Sequence, residues 1–141
     1  TRAYFEIINI RYSNSISGKW NVSDELMNIR VLKMLIQPFV ENAVSHGLVP
    51  KETDRKLEIF AMIEDDNLLI TIKDNGVGMA EEHVNKINEN MNNMSIKKKS
   101  ELGLENSNKC LKLVFGDEYG VSIKSKLGNG TTVLIKSKYL I

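Results

Sequence analysis

Two hairpin patterns constrain this chain more than any other feature. Residues 56 to 63 alternate, with Leu57, Ile59, Ala61 and Ile63 on one face. Asp65, Asp66 and Asn67 supply a turn, and residues 68 to 73 alternate again. Near the C-terminus, Val121 to Lys126 and Thr131 to Ser137 flank a second turn, Leu127-Gly128-Asn129-Gly130. A period of two places alternate side chains on opposite sides of a sheet, so both pairs read as antiparallel strands with one buried face. The segments around them are helical in pattern. That mixture of hairpins and helices predicts an α+β fold rather than a parallel doubly wound sheet.

Four helices are expected. Residues 3 to 12 place Tyr4, Ile7 and Ile8 at helical spacing, as the end of a longer helix would. Residues 31 to 47 repeat apolar residues every three or four positions. Pro38 inside this run makes the helix start near Gln37 or kink there, and Gly47 reads as its C-terminal stop. Ala80 to Asn90 turns Val84 and Ile87 inward. Leu104 to Phe115 puts Leu104, Leu111, Val114 and Phe115 on one face with Ser107 and Asn108. Ser13 to Gly18 reads as a turn and Lys19 to Val22 as a short strand. Residues 91 to 100 carry no pattern, and a structureless stretch of that length calls for a functional reason.

The chain has 141 residues, enough for one domain that buries roughly 68% of its unfolded surface. Nineteen basic residues against eighteen acidic give a net charge of +1, so no global field favours nucleic acid. A single cysteine, Cys110, excludes an internal disulfide and a cysteine-built zinc site. It reads as a buried, inert thiol. No run of about 18 apolar residues is present. The chain opens on Thr1 rather than Met, which reads as a piece of something longer.

Chemistry concentrates at a few places. Glu41 and Asn42 interrupt an apolar helix, where an acid and an amide are costly unless paired, solvated or functional. Asn42 and His46 lie one turn apart on a helix. An amide oxygen suits Mg²⁺, and a nearby carboxylate can activate a nucleophile. On composition alone, solvation or capping of a neighbouring turn is the commoner explanation for such residues. Three glycine turns accompany them: Asp74-Asn75-Gly76-Val77-Gly78, Leu102-Gly103-Leu104, and Gly128-Asn129-Gly130-Thr131. Each alone is an ordinary turn. No Walker-type or Rossmann-type glycine pattern exists.

In combination these segments resemble the GHKL ATPase superfamily. Pro38-Phe39-Val40-Glu41-Asn42-Ala43-Val44-Ser45-His46-Gly47 looks like its N box. The three glycine turns look like its G1, G2 and G3 boxes, in order. Gln37 to Ala43, Tyr4-Phe5-Glu6-Ile7 with Arg11-Tyr12, and Phe115 to Gly120 are similar to the sensor histidine kinases of the YesM/LytS type.

The resemblance implies a Bergerat-type two-layer α/β sandwich, with a mixed, largely antiparallel sheet and a mobile ATP lid over roughly Glu81 to Glu101. It implies that residues 1–16 end a linker or dimerisation helix and residues 17–141 form the ATP-binding catalytic domain. The reaction implied is transfer of the γ-phosphoryl group of Mg-ATP to a histidine on an upstream domain. Glu41 would be the catalytic base or polarising group, and Asn42 would hold Mg²⁺. Asp74 would accept from the adenine amino group. Gly76 and Gly78 would keep the adenine pocket open, with Met79 against the ring and Thr131 helping to hold it. His46 would face the phosphates, and Gly103 and Leu104 would form the turn at the end of the lid. The partners implied are ATP, the upstream phosphoacceptor domain and a response regulator, in a membrane-anchored homodimer whose catalytic domain is cytoplasmic.

Some positions depart from the pattern. Glu101 stands where the G2 box often has glycine, and Ser45 where relatives often have lysine. Lys109 is the nearest substitute for a basic residue after the G2 asparagine, and Leu32-Lys33 replaces a proline pair. His83 is not nominated as the phosphoacceptor, and Lys97 to Lys99 reads as a solvated run. A GHKL ATPase, a protein serine kinase and a binding module with little turnover are the alternatives.

Overall fold

The computed structural model of the protein describes residues 2–32, 35–92 and 102–139. Ten strand residues of β2 (Arg55–Glu64) and eight of β3 (Asn67–Asp74) form the first hairpin, registered from Leu57 opposite Asp74 to Glu64 opposite Asn67. β4 (Gly120–Lys126) and β5 (Gly130–Ser137) form the second. β5 then pairs antiparallel with β3, bringing Thr131 opposite Asp74. β1 (Ile16–Val22) adds to the other side, parallel to β2. The result is one mixed sheet, ordered β1-β2-β3-β5-β4. The α+β expectation holds.

Helices cover one face. Leu57, Ile59, Ile70, Ile72, Ile123, Val133 and Ile135 are buried beneath them, while Lys73, Lys124 and Lys136 on the other face are exposed. α1 (Arg2–Arg11) lies at the β1 edge, α3 (Glu81–Asn92) and α4 (Leu102–Phe115) near β4. α2 (Gln37–Asn42) runs into a wide π-type turn, Ala43–Leu48, whose Val49 N–H reaches back five residues to the Val44 carbonyl at 2.8 Å. Phe39, Val40, Val44 and Leu48 from this unit are almost wholly buried and form the centre of the core.

Several expectations are corrected. β1 begins at Ile16 rather than Lys19, because Gly18 is an edge position against which the Phe5 ring packs. Helix α2 starts at Gln37. Pro38 sits in its first turn, where its missing N–H costs nothing, and the described residues before it, Val31, Leu32, Leu35 and Ile36, are not helical. Gly47 does not stop the helix, which continues to Leu48. On α1 the inward side is Phe5 with Tyr4 and Ile8, and Ile7 is 67% exposed. On α4, Val114 faces solvent, and Leu104, Asn108 and Leu111 point inward. Cys110 is exposed, not buried. Trp20 packs edge-on to Phe5, with centroids 6.0 Å apart. Glu101, Lys33 and Lys97 to Lys99 lie outside the described residues, as does the part of the expected lid after Asn92.

Candidate functional site

The alternation of β3 ends on a carboxylate. Leu68, Ile70 and Ile72 point into the core, and Asp74 takes the next inward position, 4% exposed. A charged group at an apolar position requires partners. The Gly76 backbone N–H donates to its Oδ1 at 2.8 Å, and the Thr131 backbone also bonds its carboxylate. Burial nevertheless raises the carboxyl above the ordinary aspartate range, while these two bonds and the Lys51 charge oppose the shift.

Three backbone segments converge around it. A Cβ on Gly76 would lie 2.2 Å from the Gly47 carbonyl oxygen, and one on Gly78 2.1 Å from the Lys126 carbonyl oxygen. Gly78 also has φ of +67°, a region L side chains enter at a cost. Both glycines are thus required by close backbone approach. The Gly47 carbonyl, left over at the helix end, accepts from the Val77 N–H at 3.0 Å, and the Val77 carbonyl accepts from the Gly128 N–H at 2.7 Å. One chain of hydrogen bonds therefore links the helix end, the turn after β3 and the β4–β5 turn.

A cavity of about 300 Å³ opens above Asp74, within the range of small-molecule sites. Its walls are largely apolar, from Phe39, Ala43, Ile72, Ile87, Ile123 and Val133. Asn42, His46, Asp74, Gly78, Met79, Leu104 and Thr131 all line it, so seven of the ten residues singled out in the sequence meet there. The other three do not. Gly76 lies beneath the wall, packed on Gly47. Gly103 sits beside Pro38, in a separate shallow groove with Leu35 and Cys110. Glu41, next to Asn42, does not line the cavity; one turn earlier on the same helix Gln37 Nε2 donates to its Oε1 at 3.3 Å. Burial, and after it the Glu41 charge, hold the Tyr4 phenol of α1 above the ordinary tyrosine range.

Two lining or supporting residues escaped the sequence reading. His83 lines the cavity from the first turn of α3. Ser125 on β4 accepts from the Met79 N–H at 2.9 Å, and its hydroxyl lies 2.9 Å from the Gly130 carbonyl and 2.8 Å from the Thr131 hydroxyl. It ties three cavity segments together. Its only sequence signal is a hydroxyl facing inward on a strand, which no motif marks.

The donor set fits a magnesium ion brought with a nucleotide. Among the described residues there is no group of three acidic, histidine or cysteine side chains able to hold a metal by itself. Asn42 lines the cavity, and a side-chain amide oxygen suits an ion that keeps water and substrate phosphates as its remaining ligands.

Comparison with known proteins decides the family. Residues 27–140 match the family described as histidine kinase-, DNA gyrase B-, and HSP90-like ATPase. The chain belongs to this ATPase family. A curated relative is the sensor protein kinase HptS of Staphylococcus aureus (strain USA300), 29% identical over 133 residues, covering 94% of this chain and 25% of the relative. The chain thus spans about a quarter of the length of the curated relatives it matches. Among solved structures, full-length ShkA in complex with AMPPNP superposes with a TM-score of 0.67 at 17% identity, covering 99% of this chain and 29% of that one. Histidine kinase ThkA in complex with the response regulator protein TrrA gives 0.66 at 20% identity, covering 96% and 37%. These likenesses establish a histidine-kinase-type ATPase fold. No helix among the described residues is long and apolar enough to cross a membrane.

Proposed function

We propose that this chain is the ATP-binding catalytic domain of a sensor histidine kinase, passing the γ-phosphoryl group of Mg-ATP to a histidine that lies outside it. One observation carries the reading: a buried aspartate, fixed by backbone N–H groups, in a largely apolar cavity that Asn42 also lines. A carboxylate there selects adenine, whose exocyclic amino group donates where guanine presents an acceptor. The apolar walls enclose the ring. Met79, Gly78 and Thr131 line the cavity, as do His46 from the turn after α2, His83 from α3 and Leu104 from α4.

Asn42 would hold the magnesium ion, which supplies charge neutralisation for the phosphates. In the transfer, a lone pair of the histidine imidazole forms the N–P bond. The bond from the γ-phosphorus to the bridging oxygen breaks, and its electron pair leaves with ADP. Glu41 accepts the proton of the other imidazole N–H as charge develops on the ring. Its position outside the nucleotide cavity suits a group that serves the incoming acceptor rather than the nucleotide. The whole kinase is read as a membrane-anchored homodimer, as the family resemblance implies, with a response regulator as partner, a reading that the likeness to a sensor protein kinase and to the ThkA–TrrA complex supports.

Calorimetric titration tests this. The chain should bind ATP in preference to GTP, with Mg²⁺ strengthening the complex, and should form no phosphohistidine alone. Failure of the folded chain to bind ATP, or equal binding of GTP, removes the adenine pocket. Stable phosphohistidine on the isolated chain removes the external acceptor.

A further inference from the structure

Behind the cavity, a lysine is tied into the backbone. Lys51 lies in the connector between the π-type turn and β2, partly buried. Its Nζ donates to two carbonyls, that of Asn75 at 2.9 Å and that of Asp54 at 3.1 Å. Asp54 sits in the left-handed region, with φ of +52°, and its carbonyl takes a second donor, Asn75 Nδ2, at 2.7 Å. Asn75 Oδ1 accepts from the Lys56 N–H at 2.8 Å, and the Asn75 N–H donates to the Lys56 carbonyl at 3.2 Å. Every polar group of Asn75, backbone and side chain, is thus held by the connector and the start of β2. Asn75 stands between Asp74 and Gly76, whose N–H holds the Asp74 carboxylate.

The support is itself anchored. The Lys51 carbonyl accepts from Arg55 Nε at 2.7 Å, and the same guanidinium donates to the Val49 carbonyl at 3.0 Å and to Ser15 Oγ at 2.9 Å. The Asp54 carboxylate pairs with Lys56 Nζ at 2.8 Å. Lys51, Asp54 and Asn75 all stand outside the cavity wall. Among the described residues, the titratable side chains in that wall are Asp74, His46 and His83. Burial raises the Asp74 carboxyl, and the Lys51 ammonium works against that shift, after the Gly76 and Thr131 bonds.

We propose that Lys51 is a positioning residue for base recognition, clamping the Asp74-Asn75-Gly76 turn through the Asn75 carbonyl from outside the cavity. This rests on the reading of Asp74 as the adenine acceptor. A turn with glycine at 76 and 78 has wide backbone freedom of its own. Pinning Asn75 fixes the direction of the Gly76 N–H, and with it the carboxylate that the N–H holds. An ammonium donor makes a stronger bond to a carbonyl than a neutral one does. A turn ordered before the nucleotide arrives spares binding the cost of ordering it.

Titrations with Mg-ATP and Mg-GTP across pH compare the wild-type chain with Lys51→Met, Lys51→Arg and Asp74→Asn. Lys51→Met should weaken ATP roughly tenfold at pH 7 and leave GTP within about twofold, because the clamped turn serves the base rather than the phosphates. Its ATP affinity should also begin to fall at a higher pH than in the wild type, since the cation that opposes proton uptake by Asp74 is gone. Lys51→Arg keeps the charge and the donors, and should restore most of the affinity together with the wild-type pH profile. Unchanged ATP affinity in Lys51→Met overturns the proposal. Equal losses of ATP and GTP overturn it as well, and assign the lysine to general attraction of phosphates. In both cases an impaired Asp74→Asn leaves the base reading standing, whereas wild-type ATP affinity in Asp74→Asn removes both. Thermal melts establish that each variant is folded. If Lys51→Met is not, Lys51→Gln takes its place, and equal losses of the two nucleotides there overturn the proposal.

Discussion

Gly47 stands against Asp74 so closely that a Cβ at position 47 would lie 2.8 Å from Oδ1 and 3.1 Å from Cγ of the carboxyl. The glycine is therefore not a helix terminator. It clears room for the Asp74 carboxyl, and its carbonyl holds the turn that follows that acid.

Gly47→Ala should consequently strike binding and stability together. The aspartate has little freedom to retreat, since backbone bonds from Gly76 and Thr131 hold its carboxylate in place. Overpacking of this kind costs about 1–3 kcal/mol. Chemical denaturation should show that loss, and titration with ATP should show at least a tenfold weaker complex. An alanine variant with wild-type affinity would mean that the carboxyl does not touch the nucleotide.

Asp74→Asn separates function from stability. The folded-state pKa of Asp74 is raised by burial, so the folded protein holds that proton more tightly than the unfolded chain does. Its ionised form therefore opposes folding. The cost is absent below the unfolded pKa, grows as pH rises through the folded one, and is complete above it. Asparagine keeps an oxygen for Gly76 without the charge, so the variant should gain stability at pH 7 and lose that part of the pH dependence. ATP affinity should fall about 10- to 100-fold, the value of a hydrogen bond to a charged group. In the wild type, affinity should decline in acid at a pH above that of an ordinary aspartate. Thermal melts and titrations across pH check both halves.

The hairpins and most of the cavity wall were legible for physical reasons. Strands β2 to β5 carry alternating apolar residues, and period two has no competing explanation at that length. Asn42 and Asp74 stood out because polar groups interrupt or end apolar patterns, whereas Thr131, Met79 and Leu104 were marked only by the resemblance to the GHKL boxes. What was missed has no such contrast. Gly18 gives no apolar signal, and its strand status comes from parallel pairing with Leu57, a contact remote in sequence. The spacing of Ile7 and Val114 fits either side of their helices, and only packing chooses. Glu41 adjoins Asn42, yet about 100° per residue on a helix sends the two side chains in different directions, and of the pair Asn42 alone lines the cavity.

Ser125→Ala should loosen the cavity without unfolding it. The hydroxyl serves Met79 N–H and contacts both Gly130 and Thr131, so its loss unties the turn after Asp74 from the β4–β5 hairpin. Each neutral hydrogen bond contributes about 1 kcal/mol net. ATP affinity should drop roughly fivefold, with the melting transition still cooperative. Unchanged affinity would place the nucleotide away from Met79 and Thr131.

Asn108 tests what keeps α3 and α4 registered beside the cavity. Its side chain is 2% exposed, donates to the Met91 carbonyl at 2.7 Å and accepts from the Val121 N–H at 2.8 Å. A Cβ on Gly120 would lie 2.4 Å from its oxygen, so the glycine and the amide fit as a pair. Asn108→Ala leaves a backbone acceptor on α3 and a donor on β4 without their partner, at about 1–3 kcal/mol for each buried group. Urea denaturation should show a loss of about 2–5 kcal/mol. Hydrogen exchange should rise first at the end of α3 and the start of β4, because those are the elements the amide joins. Exchange that rises uniformly over the sheet would assign Asn108 to general core packing instead of this local tie.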